Sequence, residues 1–372
     1  MQLRSSLLEG IGLFGFICFV LFFISGCSTL DYYFQATKGQ LKVFNRSKPI
    51  STVMEDNRTD EKAIEKLKVV LRAKKFAERL GLKVKGQYEK YLPWDSPYLT
   101  YLLTASPEFE LKPREWEFPI VGKFPYIGFF DKSLALEKEK ELQSEGFETY
   151  VRGVSAYSSI GWFSDPVPST LFSYSDESLF NTIIHELVHA TVFFKGSVDF
   201  NEQFASFVAD EALRIYLKAH YGEKNEKWSE YLEKEKKSVQ KNELIQKTIR
   251  DLESLYQEKD LSVEKMREKK TLLFQNLKND LKKLSGLSAH LDSPATRGQG
   301  VEINNAFLVA HRTYNRPDPL LKEMLNRCGE DEKGLIQLIG YFKTVFESKK
   351  EKLPNLGELS VSVGFKSICS GL

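Results

Sequence analysis

Two histidines one helical turn apart, with a glutamate between them, stand in the stretch HELVHATVFFKGSVDFNEQFA as His185, Glu186 and His189, and a further carboxylate follows at Glu202. On a helix, residues four apart project from one face, so both imidazoles could reach a single ion. Neutral imidazoles and a carboxylate are typical ligands of zinc, with a fourth position left for water. Glu186 would face that water rather than the ion. It could take the water's proton as it attacks a carbonyl and pass it on to a leaving amine. The other reading of the same residues is a pair of core histidines satisfied by backbone groups.

Such chemistry needs a rigid element to hold it, and the flanking residues predict one. From Ser175 to Phe194 the sequence SDESLFNTIIHELVHATVFF has Ser175 or Asp176 placed to cap a helix, with Asp176 and Glu177 in the first turn, where negative charge suits the helix dipole. Leu179, Ile183, Ile184, Leu187, Val188 and Val192 wrap most of the remaining surface, which predicts a buried helix. A break at Lys195-Gly196-Ser197 lets the chain reverse, and DFNEQFASFVADEALRIYL then begins a second helix with Glu202 near its start. The pairing of two ligands with a neighbouring base is the HExxH pattern of zinc metalloproteases. A glutamate on an antiparallel second helix resembles the way the thermolysin-like gluzincins complete their site, although the gap from His189 to Glu202 is shorter and demands a tight turn. Asp199, Asp210 and Glu211 are candidates for orienting an imidazole. His220, His290 and His311 read as surface or packing residues.

The first 26 residues stand apart from the fold. Arg4 gives a positive start, Ile11 to Ile24 is almost wholly apolar, and small residues lead into Cys27. The run is shorter than the roughly 20 residues a spanning helix needs, which favours an export signal. The small residues before Cys27 resemble a bacterial lipobox, so Cys27 is expected to be acylated and to tether residues 27–372 to a membrane of the cell envelope. The formal charge of +2 argues against nucleic-acid binding. Export permits a disulfide between Cys328 and Cys369, the only other thiols after residue 26.

Residues 27–175 read as mixed α and β. DEKAIEKLKVVLRAKKFAERLGL carries Ile64, Leu67, Leu71 and Ala77 at helical spacing before Gly81, residues 92–131 read as strands joined by turns, a charged helix runs from Ser133 to Gly146, and FETYVRGV follows as a strand. Residues 176–352 read as a helical catalytic part. Within it, 225–287 is a Lys/Glu-rich helical hairpin broken at KDLSVEK with Ser262 as a cap, and 353–372 is a tail. The fold class is therefore α+β, with a gluzincin-like metallopeptidase core and a mostly helical C-terminal half.

Beyond HELVHAT and FNEQFASFVADE, the stretches YYFQATKGQL (32–41), LKPREWEFPIVG (111–122), VSAYSSIGWFSDPVPSTLF (154–172) and NNAFLVAHRTYNRPDPLLKEML (304–325) together resemble the bacterial predicted aminopeptidase family, which has lipoprotein members. The family's usual VGC is Val121-Gly122-Lys123 here. The resemblance implies zinc-dependent hydrolysis of peptides with one zinc ion held by His185, His189 and Glu202, and Glu186 as general base. It leaves the amine-binding group open, because the GxMEN motif of well-studied zinc aminopeptidases is absent. Asp165 and Glu177 are the carboxylate candidates for that role, and Tyr314 is a candidate oxyanion donor. SSIGWFSDP could be an edge strand that pairs with an extended peptide. Two other functions fit the same residues: an endopeptidase acting on envelope proteins, and a non-catalytic lipoprotein with a structural zinc and a partner-binding hairpin.

Overall fold

The computed structural model describes residues 27–118, 122–156, 164–285, 302–315, 319–348 and 369. The fold is mixed α and β: long helices and three small sheets. The first helix, α1 (Cys27–Arg46), leads into a two-residue strand β1 (Lys48–Pro49), a short helix α2 (Ile50–Glu55) and α3 (Glu61–Arg79). Gly81, at φ 79°, ends α3 in the left-handed conformation that a side chain would resist. On α3 the buried face is Leu67, Val70, Ala73, Phe76 and Ala77, whereas Leu71, grouped with them by spacing, is 40% exposed. The inward arc is set by what packs on it, and Val70 takes the inward place that Leu71 would otherwise hold.

Strands β2 (Lys90–Leu92) to β7 fill the next stretch: β3 (Thr100–Pro107), β4 (Trp116–Phe118), β5 (Gly122–Phe124), β6 (Ile127–Phe129), then helix α4 (Lys132–Ser144) and β7 (Phe147–Val154). Strand β3 is central in an antiparallel sheet of order β6-β3-β7, with Thr100 opposite Val154 and Pro107 opposite Phe147. Asp131 caps α4 by accepting from the Ser133 backbone N–H. A short strand β8 (Val167–Pro168) runs parallel to β2 and continues through a 3-10 turn, Ser169–Ser173, into the helix of interest.

That helix is α5 (Asp176–Thr191), capped by Ser175, whose hydroxyl accepts from the Ser178 N–H. Six apolar side chains of α5 are buried, from Leu179 to Val188, each contributing about 1.5–3 kcal/mol of gross burial. It packs on α3 and on α6 (Val198–Tyr221), and the Phe180 ring stacks on Tyr216 at 4.4 Å and lies 5.7 Å from Phe76. The same apolar core takes in α10 (Pro319–Cys328) and α11 (Glu332–Ser348). A disulfide joins Cys328 to Cys369.

The charged region is a hairpin of α7 (Glu226–Leu255) and α8 (Val263–Ser285), with the Ser262 hydroxyl accepting from the Lys265 N–H at the break. Its inner face is not a free coiled coil. Ile245, Ile249, Leu252, Leu277 and Leu281 form a second core with Phe307 and Leu308 of α9 (Asn305–Asn315). At that seam Lys270, 5% exposed, pairs with Glu148 of β7, and Asn305 donates to the carbonyls of Pro107, Glu108 and Glu110. Among the described residues no helix is long and apolar enough to cross a membrane.

Candidate metal and hydrolytic site

The two helices that carry the histidines and Glu202 run in opposite directions. Asn181 of α5 donates to Asp210 of α6 at 2.8 Å, His185 meets Ser206 at 3.5 Å, and His189 meets Glu202 at 3.5 Å, so one helix ascends as the other descends. The reversal takes six residues, and a buried asparagine holds it. Asn201 accepts from the Phe194 N–H at 2.9 Å and donates to the Phe194 carbonyl at 2.8 Å, clasping the turn to the first coil of α6. Gly196, at φ 74°, supplies the left-handed step. With the turn fixed this way, the adjacent Glu202 is delivered to the histidine face of α5.

The resulting cluster is compact. Nε2 of His185 and Nε2 of His189 are 3.1 Å apart, and Glu202 Oε2 lies 3.3 Å from the first and 3.5 Å from the second. Ligands about 2.0–2.2 Å from a tetrahedral ion sit roughly 3.3–3.6 Å from one another, so three donors at these separations frame a single-ion site. His189 and Glu202 are 6% and 7% exposed, and among the described residues Glu202 Oε2 has no hydrogen-bond partner. A buried carboxylate oxygen without a donor is costly unless a cation completes it. Burial opposes ionisation of Glu202, but the two imidazoles outweigh it and hold the carboxyl below the usual carboxylate range. His185, His189 and Glu202 can therefore hold a metal ion.

Glu186 lies beside this cluster, half-buried on α5. Burial pushes its carboxyl up to about 7; His185 opposes the shift, while the charges of Glu202 and Asp165 add to it. The part of Glu186 that solvent reaches moderates this effect. A carboxyl poised near neutrality is the kind that can both take and return a proton. Asp165 is 4% exposed, and backbone bonds fix its position: its N–H donates to Gln87 Oε1 at 3.1 Å and its carbonyl accepts from the Tyr88 N–H at 2.8 Å. The charge of this second buried carboxylate thus adds to that of Glu202 at Glu186.

Other residues singled out by sequence fall elsewhere. Glu177 stays in the first turn of α5, where its charge acts on Lys227, and is separated from His185 by eight residues, about 12 Å of helix. Asp199 is exposed, and Glu211 pairs with Arg214 at 2.7 Å and Lys322 at 2.8 Å, so neither orients an imidazole. Asp210, at the solvent edge and held by Asn181, contributes only its field at His185. The polar group facing Nδ1 of His185 is the Ser206 hydroxyl. His220 stacks on Tyr216 and His311 meets Asn242 at 2.9 Å, both in packing roles. Tyr314 lies in α9, but its side chain, like His290 and residues 158–163 of SSIGWFSDP, is outside the described residues. Tyr174, just before α5, was not foreseen. Burial pushes its phenol up, a hydrogen bond with Ser155 and the charge of Arg152 oppose this, and the charge of Glu186 adds to it, which places the ring near the acid.

The family model described as "Putative aminopeptidase" matches residues 31–353. The chain belongs to that family. Membership implies a peptidase, and the match covers both helices of the site as well as the sheets and the charged hairpin. No curated protein and no solved structure matches the chain.

Proposed function

We propose that this protein is a zinc-dependent aminopeptidase with a gluzincin-like helix pair, tethered to a bacterial envelope membrane through acylated Cys27. The observation that carries the reading is the convergence of His185, His189 and Glu202 on one point, with Glu186 next to it on the same helix. Two imidazoles and one carboxylate serve both hydrolytic zinc and non-haem iron(II); the glutamate next to His185, placed as a base, favours zinc here. Zinc, when bound, supplies Lewis acidity that polarises a peptide carbonyl and lowers the pKa of a water.

The chain's own residues do the rest. His185, His189 and Glu202 hold the ion, and Ser206 steadies the His185 ring. Glu186 takes the proton from the attacking water and returns it to the departing amine, a role suited to its raised carboxyl. Asp165 supports the exopeptidase assignment. Its buried charge adds to the field at Glu186, and we assign it the substrate's α-ammonium, a pairing that would register the first peptide bond over the acid.

The test uses the full chain in detergent, as wild type and Glu186→Gln, with metal content and cleavage of peptides bearing free or acetylated N-termini as readouts. Stoichiometric zinc in both proteins, with cleavage of free N-termini alone and loss of activity in the variant, is the expected result. Cleavage of both peptide sets makes the enzyme an endopeptidase. Zinc without variant-sensitive cleavage leaves only a structural ion, and absence of bound metal overturns the reading.

A further inference from the structure

Helix α9 packs on β7, on α7 and on the site helix α6, and along its seam with β7 the side chains can be followed pair by pair. Residues two apart on a strand share a face, and one face of β7 carries Glu148, Tyr150 and Arg152. Glu148 accepts from the Asn305 N–H at 2.7 Å, and the Tyr150 ring lies 5.3 Å from Phe307. Arg152 comes next, and its charge reaches His311, further along α9. Helix α7 closes the third side. Its Asn242 meets His311 at 2.9 Å, and the charge of the preceding Lys241 reaches the same ring. Three elements thus bring two cations to one imidazole, which burial and those cations keep uncharged at neutral pH.

The place is next to the acid of the metal site. The charges of Arg152 and of Glu186 both reach the Tyr174 phenol, which is hydrogen-bonded to Ser155, one residue past the end of β7. Lys241 is the member without compensation. It is half-buried, burial lowers its pKa, and among the described residues no carboxylate opposes that shift. Lys270, by contrast, is buried on the neighbouring helix with Glu148 and the Glu108 carbonyl as partners. An ammonium withdrawn from water beside a second cation is costly unless an anion joins it.

We propose that Lys241 and Arg152 hold a carboxylate of the peptide substrate, its terminal carboxylate or an acidic side chain, and so select anionic peptides. The proposal rests on the peptidase reading of the metal site, because a carboxylate is the anion that a peptide lying over Glu186 brings with it. With Asp165 assigned to the α-ammonium, a peptide charged at both ends matches the two signs of charge around Glu186.

The experiment uses the zinc-loaded full chain in detergent, as wild type, Lys241→Gln and Lys241→Met. The substrates are peptides of two to five residues with free N-termini, each as free acid and as amide, and amides that differ only in Glu or Gln after the first bond. A hydrogen-bonded charge corresponds to about a tenfold or greater change in a constant. The expected result is therefore an acid-to-amide ratio of kcat/KM of about 10 or more at one length, falling to near 1 in both variants. A preference for Glu over Gln in the amides, lost in the same variants, would equally uphold the site and assign it to a side chain. Equal cleavage within every pair, or a preference that survives both substitutions, would overturn the proposal. Failure to cleave any peptide counts against the peptidase reading instead. Titration calorimetry with the same pairs then decides: tighter binding of the acids by wild type alone upholds the carboxylate site, and equal binding overturns it.

Discussion

Replacing Asn201 by alanine should loosen the metal site without touching a ligand. The side chain makes two bonds, both to the backbone of Phe194, whose own side chain is fully buried, and Asn201 itself is 2% exposed. Alanine would strand the Phe194 N–H, which water reaches poorly, while the Phe194 carbonyl keeps the Ser197 N–H at 3.1 Å, so a loss of about 1–3 kcal/mol is expected. Asn201→Asp keeps the acceptor for the Phe194 N–H but sets a carboxylate against the Phe194 carbonyl, and should be no milder. The clasp sits one residue before Glu202, so metal affinity should fall about 10–100-fold, as when a group that orients a ligand is removed. Denaturant unfolding in the presence of a chelator isolates the folding term, and competition with a chromophoric chelator gives the affinity. An Asn201→Ala protein within about 0.5 kcal/mol of wild type, with unchanged metal affinity, would refute the argument that this clasp positions Glu202.

Chelation should lower the melting temperature of the wild type and leave His185→Ala unmoved, since metal bound only by the folded state stabilises it by mass action. Asp165→Asn should raise KM for peptides with a free N-terminus while leaving metal content unchanged, read by steady-state kinetics and metal analysis. Lys270→Ala should cost about 1–3 kcal/mol because it leaves the partly buried Glu148 without its cation, and the double variant with Glu148→Gln should recover much of that in denaturant melts. His311 carries an acid limb of stability. Burial, then the charges of Lys241 and Arg152, depress its pKa from 6.5 to about 3. The unfolded chain therefore holds the extra proton between those values, and stability present above 6.5 is lost as the pH falls toward 3. Comparing His311→Gln with wild type by melts across that range should show a flatter acid limb, by on the order of 2–4 kcal/mol.

The α5 helix was legible because local rules agree along it. A capping serine, two acids in the first turn and a nearly continuous apolar wrap all point to one buried helix, and the 3.6-residue period puts His185 and His189 on one face whatever packs around them. The same local signals read β7, α4, the α7–α8 hairpin and its Ser262 cap. Leu71 went astray because helical spacing leaves the direction of the inward arc free by about a residue, and that direction is set by neighbours distant in sequence. Which of Asp199, Asp210 and Glu211, if any, faces an imidazole is open in the sequence for a related reason: acids on a short stretch of helix differ by 100° per residue in where they point. Asn201 left a trace in NEQFA, but its partner is the backbone of Phe194, which no side-chain pattern announces.

The sequence by itself determined the ligand types, their spacing on α5, the turn that permits a second helix, and the apolar segment that leads into α1, because each depends on residues within a few turns of one another. Tertiary structure alone decided the rest. It brought the Glu202 carboxylate to 3.3 Å from His185, chose Ser206 rather than a nearby acid to face that ring, and set the charge of Asp165 where it adds to that of Glu202 at Glu186. Those outcomes depend on packing between segments far apart in the chain. Burial there sets both the cost of an unpaired charge and the direction of every pKa shift, and neither can be read from the order of the residues.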